Sequence, residues 1–509
     1  MKAYLMFKDK KLKVDLEKSY DSDVTLRDME MQEIINIMAL KDELIKKVVT
    51  YAFQNPLVDM ESISYRQGIL EDVLERRDIV KELYNVVCET QMTVKKHFFG
   101  MNNQNLRNMY TTSLEYISAY ILGLKSIRGL TDKYYSLFKS TGFKSFFEEI
   151  KSELSDEYLK EINDFINNLK STDTYSISVD FGPRLDGVNY TLREAKKTSF
   201  SLLNILHTQS IKLKEDDEAG RKDFDYRKDL AIQEASNTLA KTVDHLDYFF
   251  SSLQSELAFY TGVVNLANHL ENLGMPFCIP KVLPKETFDR SYDNLYDVAL
   301  AITKKSKVDS NILEESNKRL YLISGANQGG KTTFLRSLGQ AQIMAQSGIL
   351  VGASKFEVPI RIHIYTHFKK EEDQNIKSGK LDEELLRMND LINHMDPFSL
   401  VLFNESFSST NEREGSRINK DIVDSLIKYS NEVFSVSHLY TFSHSYEGDF
   451  RVVFLIAERK EDGSRTHHLI KGIPEKQHMV LIYIKQFLNN KLCEIIAYYA
   501  RISDYFRVL

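Results

Sequence analysis

A glycine-rich loop between an apolar segment and a helical pattern constrains the fold of this chain more than any other feature. In LYLISGANQGGKTTFLRSLGQ, residues 320–340, an apolar run leads into GANQGGKTT. Because glycine weakens helices and strands, three glycines within residues 325–330 indicate a backbone that other residues adopt poorly. The spacing G-x-x-x-x-G-K-T, placed after a strand and before a helix, is typical of a phosphate-binding loop. The sequence therefore predicts a strand, an anion-binding loop and a helix in that order.

The residue types in this loop suit a triphosphate. Successive backbone N–H groups can turn inward around an anion, and the helix N-terminus adds partial positive charge. We expect Lys331 to reach the outer phosphates and the Thr332 hydroxyl to bind Mg²⁺. The predicted nucleotide-binding residues are Gly325, Ala326, Asn327, Gln328, Gly329, Gly330, Lys331, Thr332 and Thr333.

A second polar site follows the apolar run in SLVLFNES, residues 399–406. Glu405 is predicted to act as a catalytic residue by orienting the attacking water. An aspartate is expected at the preceding position, where it would help to hold Mg²⁺. Asn404 keeps a carbonyl oxygen and loses the charge, so weaker metal binding or slower turnover is expected. The predicted metal ligands are thus Thr332 and Asn404.

The next segment, SFSSTNEREGSRINKDIVDSLIKY, carries a helix start. Asn411 and Glu414 have the spacing of an N-terminal capping pair. Ser409, Thr410 and Asn411 at such a start could receive a phosphate. They follow Glu405 too soon to fold onto their own site, so the nucleotide of a second subunit is the predicted target. An ordinary capped helix is the alternative.

His438 ends the following strand, in FSVSHLYTF. Strand ends at one edge of a parallel sheet converge on the ligand crevice. His438 is therefore predicted to be a second catalytic residue, in contact with the γ-phosphate or the attacking water.

The two halves of the chain have different patterns. Pro56 and Pro183 are the only prolines among the first 275 residues, so long helices are expected there. Within that half, TYSISVDFGPRLDGVNYTLREA alternates on both sides of a turn and predicts a β-hairpin. Two antiparallel helical arms with a structured tip, or a compact helical domain with a hairpin on its side, both fit. After Asn294, short apolar strands alternate with helices, which predicts a mainly parallel sheet covered by helices.

Composition excludes several classes of protein. The chain has 509 residues, no apolar run long enough for a membrane span and a charged N-terminus without a secretion signal. Cys88, Cys278 and Cys493 are scattered, which argues against a disulfide framework and favours a cytoplasmic protein. The net charge of −6 means that any nucleic-acid contact must come from a local patch.

Four segments, in order, resemble the ATPase domain of the MutS DNA mismatch-repair family. They are ISGANQGGKTTFLRSLGQAQIMAQSGILVGA, SGKLDEELLRM, SLVLFNESFSSTNEREG and SVSHL, and the resemblance covers about residues 290–475. In the first half, NPLVDMESISYRQGILEDVLE and ELAFYTGVVNLANHLENLGMPFCIP resemble the core and lever domains of that family.

The resemblance implies an α plus α/β fold, in which a long helical core/lever domain with a small β-hairpin precedes a P-loop, ABC-type α/β ATPase domain. The implied divisions are an N-terminal segment (1–25), the core/lever domain (26–285), the ATPase domain (286–475) and a helical C-terminal extension (476–509). It also implies ATP and Mg²⁺ as cofactors and a homodimer formed through the ATPase domain.

Several departures from the family pattern qualify these expectations. The core-like helices begin near residue 26, which leaves no room for mismatch-reading and connector domains. Phe407 and Ser409 replace two glycines of the signature, and Asn411 stands where a serine is usual.

The expected function is ATP binding and hydrolysis coupled to movement of helical arms, on branched or non-standard DNA rather than mismatched DNA. The alternative is an ATP-binding scaffold that clamps another protein, with slow or no hydrolysis and no DNA binding.

DNA phosphates would contact basic residues near the arm tips, unless these residues form only a solvated charged face. The candidates are Lys196, Lys197, Lys212, Lys214, Arg221, Lys222, Arg227 and Lys228.

Overall fold

The computed structural model describes residues 4–14, 18–98, 106–171, 176–183, 187–193, 217–325, 328–369, 379–460 and 465–473. The chain forms two compact units. The helical unit consists of Met1–Val14 and Tyr65–Val264, and the sheet unit consists of Asp15–Ser64 and Asn265–Leu509.

The described helices and strands follow in chain order. The helices are α1 (Ser22–Asp28), α2 (Met31–Ala39), α3 (Glu43–Gln54), α4 (Met60–Glu75), α5 (Arg77–Phe98), α6 (Leu106–Tyr134), α7 (Thr141–Glu153), α8 (Asp156–Ser171), α9 (Glu218–Leu273), α10 (Val298–Lys304), α11 (Lys331–Gln346), α12 (Lys380–Asn393), α13 (Glu412–Lys428) and α14 (Tyr440–His444). The strands are β1 (Ser176–Phe181), β2 (Gly187–Arg193), β3 (Lys281–Leu283), β4 (Arg290–Leu295), β5 (Asn311–Glu315), β6 (Leu320–Ser324), β7 (Lys355–Pro359), β8 (Ile364–Phe368), β9 (Leu400–Asn404), β10 (Glu432–Val436), β11 (Val452–Arg459) and β12 (Arg465–Lys471).

The helical unit is held together by apolar stripes on long helices. On α6, Tyr110, Leu114, Ile117 and Ile121 recur at three- and four-residue steps, and all four are buried. Such spacing puts them on one face of the helix, where Ile166 of α8 joins the same cluster. Strands β1 and β2 pair antiparallel, which confirms the predicted hairpin.

A buried carboxyl group anchors the first described residues to this unit. Glu256 of α9 accepts hydrogen bonds from the backbone N–H groups of Leu5 and Met6. Arg66 donates from Nε to the carbonyl oxygen of Met6 at 2.8 Å, and Tyr260 donates to that of Leu5 at 2.5 Å. Burial raises the pKa of Glu256 from 4.5 to about 8, although these N–H groups and Arg66 act in the opposite direction.

The raised pKa of Glu256 predicts that stability falls as pH rises. The native unit keeps a proton that the unfolded chain releases, so the free energy of unfolding decreases between about pH 4.5 and pH 8, by about 5 kcal/mol in total. Glu256→Gln has no such proton and should remove this slope. The measurement is chemical denaturation across this pH range. Glu115→Gln, at an exposed pair with Lys170, should keep the wild-type slope, and a Glu256→Gln profile that also keeps it would contradict the prediction.

The sheet unit contains a mainly parallel sheet, as the sequence predicted. Its strand order is β12-β11-β6-β10-β9-β8, and β12 alone runs antiparallel, at one edge. A smaller sheet has the order β3-β7-β4-β5. Strands β6, β9 and β10 are parallel, so their carboxyl ends share one edge of the sheet. The next strand of this sheet after β6 is β8, on one side of it, whereas β10 is followed by β11, on the other side. Ligand crevices of open parallel sheets form at such positions.

Helices α1 to α3 belong to the sheet unit, although the sequence assigns them largely to the helical half. Thr25 donates to the carbonyl oxygen of Ile364 at 3.0 Å, and Gln340 donates to that of Met29 at 2.9 Å. The predicted domain boundaries stay predictions. No helix in the described ranges combines the length and apolar character that a bilayer crossing requires.

Candidate nucleotide-binding site

The predicted loop connects β6 to α11 and requires glycine at two described positions. Gly325 has φ 122° and Gly330 has φ 90°, in a region that residues with side chains rarely adopt. A Cβ on Gly330 would lie 3.0 Å from the carbonyl oxygen of His467, and one on Gly325 would lie 2.9 Å from Cβ of Ala457. Strands β11 and β12 therefore leave no room for a side chain at Gly325 or Gly330.

A cleft of about 430 Å³ opens beside this loop. Several of the predicted residues line it together: Gln328, Gly329, Gly330, Lys331, Thr332, Thr333 and Glu405. Gly325 adjoins them through a hydrogen bond from the Lys331 ammonium to its carbonyl oxygen, at 2.7 Å. Ala326 and Asn327 lie outside the described residues.

Lys331 is a buried cation that lines this cleft. The residue is only 6% exposed. Burial lowers the pKa of its ammonium group, while the Glu405 carboxylate acts in the opposite direction. A partly desolvated cation at a helix N-terminus gains favourable interactions when phosphate oxygens approach it.

Thr332 and Asn404 lie together at the same edge of the sheet. The Thr332 hydroxyl donates to Oδ1 of Asn404 at 3.2 Å. A hydroxyl oxygen and an amide oxygen are hard ligands of the kind that Mg²⁺ binds, and phosphate and water oxygens complete its coordination shell. Thr332 and Asn404 thus fit the Mg²⁺ ion that the family resemblance implies. No cluster of three or more His, Cys, Asp or Glu side chains suited to a metal occurs in the part of the chain that the structure describes.

Glu405 follows β9 on a turn of unusual backbone. Its φ is 53°, and its backbone N–H donates to the carbonyl oxygen of Val436 at 2.9 Å. Its carboxylate lines the cleft beside Lys331. A non-glycine residue in the left-handed region is uncommon, and such residues are often found at functional sites.

His438 stands apart from the cleft. It lies two residues after β10, is exposed and is not among the cleft-lining residues. Its predicted catalytic role stays a prediction.

The predicted capping pair at the start of α13 is confirmed. Asn411 Oδ1 accepts from the backbone N–H of Glu414 at 3.0 Å, and the Thr410 hydroxyl donates to the Glu414 carboxylate. The Ser409 side chain hydrogen-bonds to Glu384 of α12. A phosphate brought by a second subunit would have to replace some of these bonds, and the predicted contact stays a prediction.

The candidate DNA residues divide into two groups. Lys196, Lys197, Lys212 and Lys214 lie outside the described residues. Arg221, Lys222 and Arg227 are exposed on α9, while Lys228 is half-buried. Arg227 forms an ion pair with Asp223 at 2.7 Å and donates to the Tyr190 hydroxyl of β2 at 3.2 Å.

Other residues beside the loop or the cleft lie outside the sequence motifs. Arg465 of β12 donates to the Gln328 side chain at 2.7 Å, and His467 lines the cleft next to Gly330. Tyr296 and Asp297, just before α10, also line the cleft. These four residues lie outside every recognisable motif, and only the folded sheet brings them to the loop.

Models of known protein families match both halves of the chain. Residues 58–273 match the model of the MutS2 N-terminal domain, and residues 321–485 match that of MutS domain V. The second range contains the loop, Asn404 and Glu405.

The relatives include three proteins named endonuclease MutS2. The Thermus thermophilus protein is 27% identical over 201 residues, which are 39% of this chain and 27% of the relative. The Staphylococcus aureus protein is 28% identical over 162 residues, 31% of this chain and 20% of the relative. The Staphylococcus carnosus protein is 27% identical over 181 residues, 34% of this chain and 22% of the relative. The aligned part of the chain therefore spans between a fifth and about a quarter of the length of these relatives.

Proposed function

This chain belongs to the MutS family, and from that premise we propose that its cleft binds ATP with Mg²⁺ and hydrolyses it. One observation carries the proposal: a buried lysine at a glycine-capped helix start shares a cleft with a glutamate. Lys331 and Glu405 line the same space, beside the hydrogen-bonded pair of Thr332 and Asn404.

Each residue has a defined part in the proposed reaction. The loop amides and Lys331 bind the outer phosphates, and Thr332 and Asn404 hold the metal ion. Bound Mg²⁺ supplies positive charge against the phosphate oxygens. Glu405 orients the attacking water and takes its proton. His438 is proposed to approach the γ-phosphate or that water.

The assembly and the DNA partner are also proposals. Two copies are proposed to associate through the sheet unit, with Ser409, Thr410 and Asn411 of each copy contacting the nucleotide of the other. ATP turnover is proposed to move the helical unit on branched or non-standard DNA, through phosphate contacts that include Arg221 and Lys222. Both side chains are exposed on α9.

A protein-clamping scaffold remains the second candidate. The neutral Asn404 at the metal position favours slow turnover, and the pairing of Arg227 with Asp223 weakens the basic patch. Such a scaffold would bind ATP, hydrolyse it slowly or not at all, and ignore DNA.

ATP turnover with and without DNA tests these proposals. The panel is duplex, mismatched duplex, fork and four-way junction, each over a salt series. We expect Mg²⁺-dependent turnover that branched DNA stimulates most at low salt, because phosphate contacts weaken as counterions compete. Lys331→Ala should abolish both nucleotide binding and turnover. Turnover that survives this substitution would contradict the assigned site, and turnover that no DNA alters would favour the scaffold.

A further inference from the structure

A buried histidine lies behind the turn that carries Glu405. His367 is the fourth residue of β8 and is 1% exposed. Its ring stacks on that of Phe407, with centroids 5.2 Å apart, and meets the edge of Phe403 at 5.9 Å. The ring belongs to no motif in the sequence, and the proposed chemistry does not use it.

The hydrogen bonds of Ser406 and Arg387 indicate which nitrogen of this ring carries a proton. The Ser406 hydroxyl donates its one hydrogen to the His367 carbonyl oxygen at 2.7 Å. The 2.8 Å contact between Ser406 Oγ and Nδ1 therefore requires Nδ1 to donate. At the other nitrogen, Arg387 of α12 donates from Nη2 to Nε2 at 3.2 Å, because a guanidinium cannot accept. The ring is neutral and protonated at Nδ1.

Two neighbours of Nε2 act in opposite directions on a second ring proton. Nε2 also lies 3.2 Å from the carbonyl oxygen of Glu384, which a doubly protonated ring would approach as a donor. The Arg387 guanidinium opposes that second proton, because it would place two positive charges side by side. The neutral ring thus acts as a fixed link, with a donor toward Ser406 and an acceptor toward Arg387.

The turn that this link contacts has an unfavourable backbone on both sides of Ser406. Glu405 has φ 53° and Phe407 has φ 54°. Phe407 occupies one of the positions where the resemblance leads us to expect glycine, so a residue with a side chain keeps a glycine-like conformation. Such a conformation persists only when the surroundings hold it. The fully buried Phe407 ring, stacked on His367, is part of what holds it.

Three further contacts hold this turn. Asn419 of α13 donates to the Ser406 carbonyl oxygen at 3.0 Å. The Glu384 carboxylate accepts from the Phe407 backbone N–H. The Glu405 backbone N–H donates to Val436. His367 contacts both a hydroxyl and a ring of this turn.

We propose that His367 is a positioning residue for Glu405. Its Nδ1–H fixes the Ser406 hydroxyl and its ring supports Phe407, so that the turn keeps the Glu405 carboxylate in the cleft. This inference rests on the proposed ATP hydrolysis. In this chain, the packing of Phe407 on His367 supports a left-handed backbone that glycine would adopt without such support. Neither residue is among those that line the cleft.

Substitutions of His367 test the inference through the separation of turnover from binding. His367→Ala should lower kcat about 10- to 100-fold, since small misplacements of a reacting group have effects of that size. The Kd of a fluorescent ATP analogue should stay within about twofold, because His367 is not among the residues that line the cleft. His367→Asn should recover part of kcat, because its amide nitrogen can donate from the position of Nδ1 although the ring that supports Phe407 is lost. His363→Ala, next to the same strand, should leave both quantities unchanged.

The outcomes separate this inference from the proposed function. Wild-type protein that hydrolyses ATP while His367→Ala keeps full kcat overturns the inference alone. Parallel losses of kcat, affinity and melting temperature, without recovery in His367→Asn, overturn it too, because they indicate a purely structural role. Wild-type protein without turnover overturns the proposed function itself. If His367→Ala does not fold, Ser406→Ala decides: reduced kcat at unchanged Kd supports the inference, and full kcat overturns it.

Discussion

Glu405→Gln is expected to lower ATP turnover by about 100-fold or more while ATP affinity stays within about threefold of the wild-type value. Glutamine has nearly the same shape as glutamate but cannot take a proton from the attacking water. The backbone hydrogen bond from residue 405 to Val436 is retained, so the turn should keep its conformation. Loss of turnover with retained binding identifies an interaction made in the transition state.

The measurement is steady-state phosphate release together with titration of a fluorescent ATP analogue. Glu314→Gln removes the same charge from an exposed position on β5 and should change neither quantity. A Glu405→Gln protein with wild-type turnover would remove Glu405 from the mechanism.

Asn404→Asp is the companion variant at the metal position. A carboxylate beside the Thr332 hydroxyl would add negative charge where the ion is proposed to bind. The Mg²⁺ concentration that gives half-maximal turnover should therefore fall. An unchanged value would indicate that the side chain at position 404 does not contact the ion.

The parts of the site that sequence alone predicted are those that lie close together along the chain. The loop, its lysine and the first threonine follow one strand within a few residues, so spacing is enough to identify them. Asn404 and Glu405 end a buried strand in the same way. Long-range contacts gave no such signal: Gly330 faces His467, and Gln328 accepts from Arg465, well over a hundred residues later.

The same distinction applies to the fold. The stripe of Ile34, Ile35 and Met38 shows that α2 buries one face, and all three residues are buried. Such a stripe does not identify the surface that covers it, so the sequence predicts that α2 packs with the neighbouring helices of the core/lever domain. In the structure, it packs within the sheet unit, where Asn265 donates to the Met38 carbonyl oxygen at 2.8 Å. Likewise, the left-handed backbone at Phe407 contradicts the preference of its residue type, so only its three-dimensional surroundings account for it.

Glu432→Gln is expected to produce the largest loss of stability in the sheet unit, about 3–5 kcal/mol. The Glu432 carboxylate begins β10 and is fully buried between two fully buried arginines. Arg290 donates to it from Nε and Nη2 at 2.5 and 2.7 Å, and Arg361 donates from Nε at 2.8 Å. The two guanidinium groups hold the pKa of Glu432 low, although burial alone would raise it.

The cause of this loss is the charge that remains after the substitution. Glutamine preserves the shape of the site and one acceptor oxygen, but it leaves Arg290 and Arg361 as two buried cations without a carboxylate. An unpaired buried charge costs far more than the pair contributes, which makes single removal severe. Denaturant-induced unfolding of the full chain measures the effect. Asp421→Asn, which breaks an exposed pair with Arg417 on α13, should cost less than about 1 kcal/mol. If both variants lost equally little, the carboxylate would not be neutralising the arginines, and the buried cluster would owe its stability to packing around Phe288 and Phe434, whose rings lie beneath the two guanidinium groups.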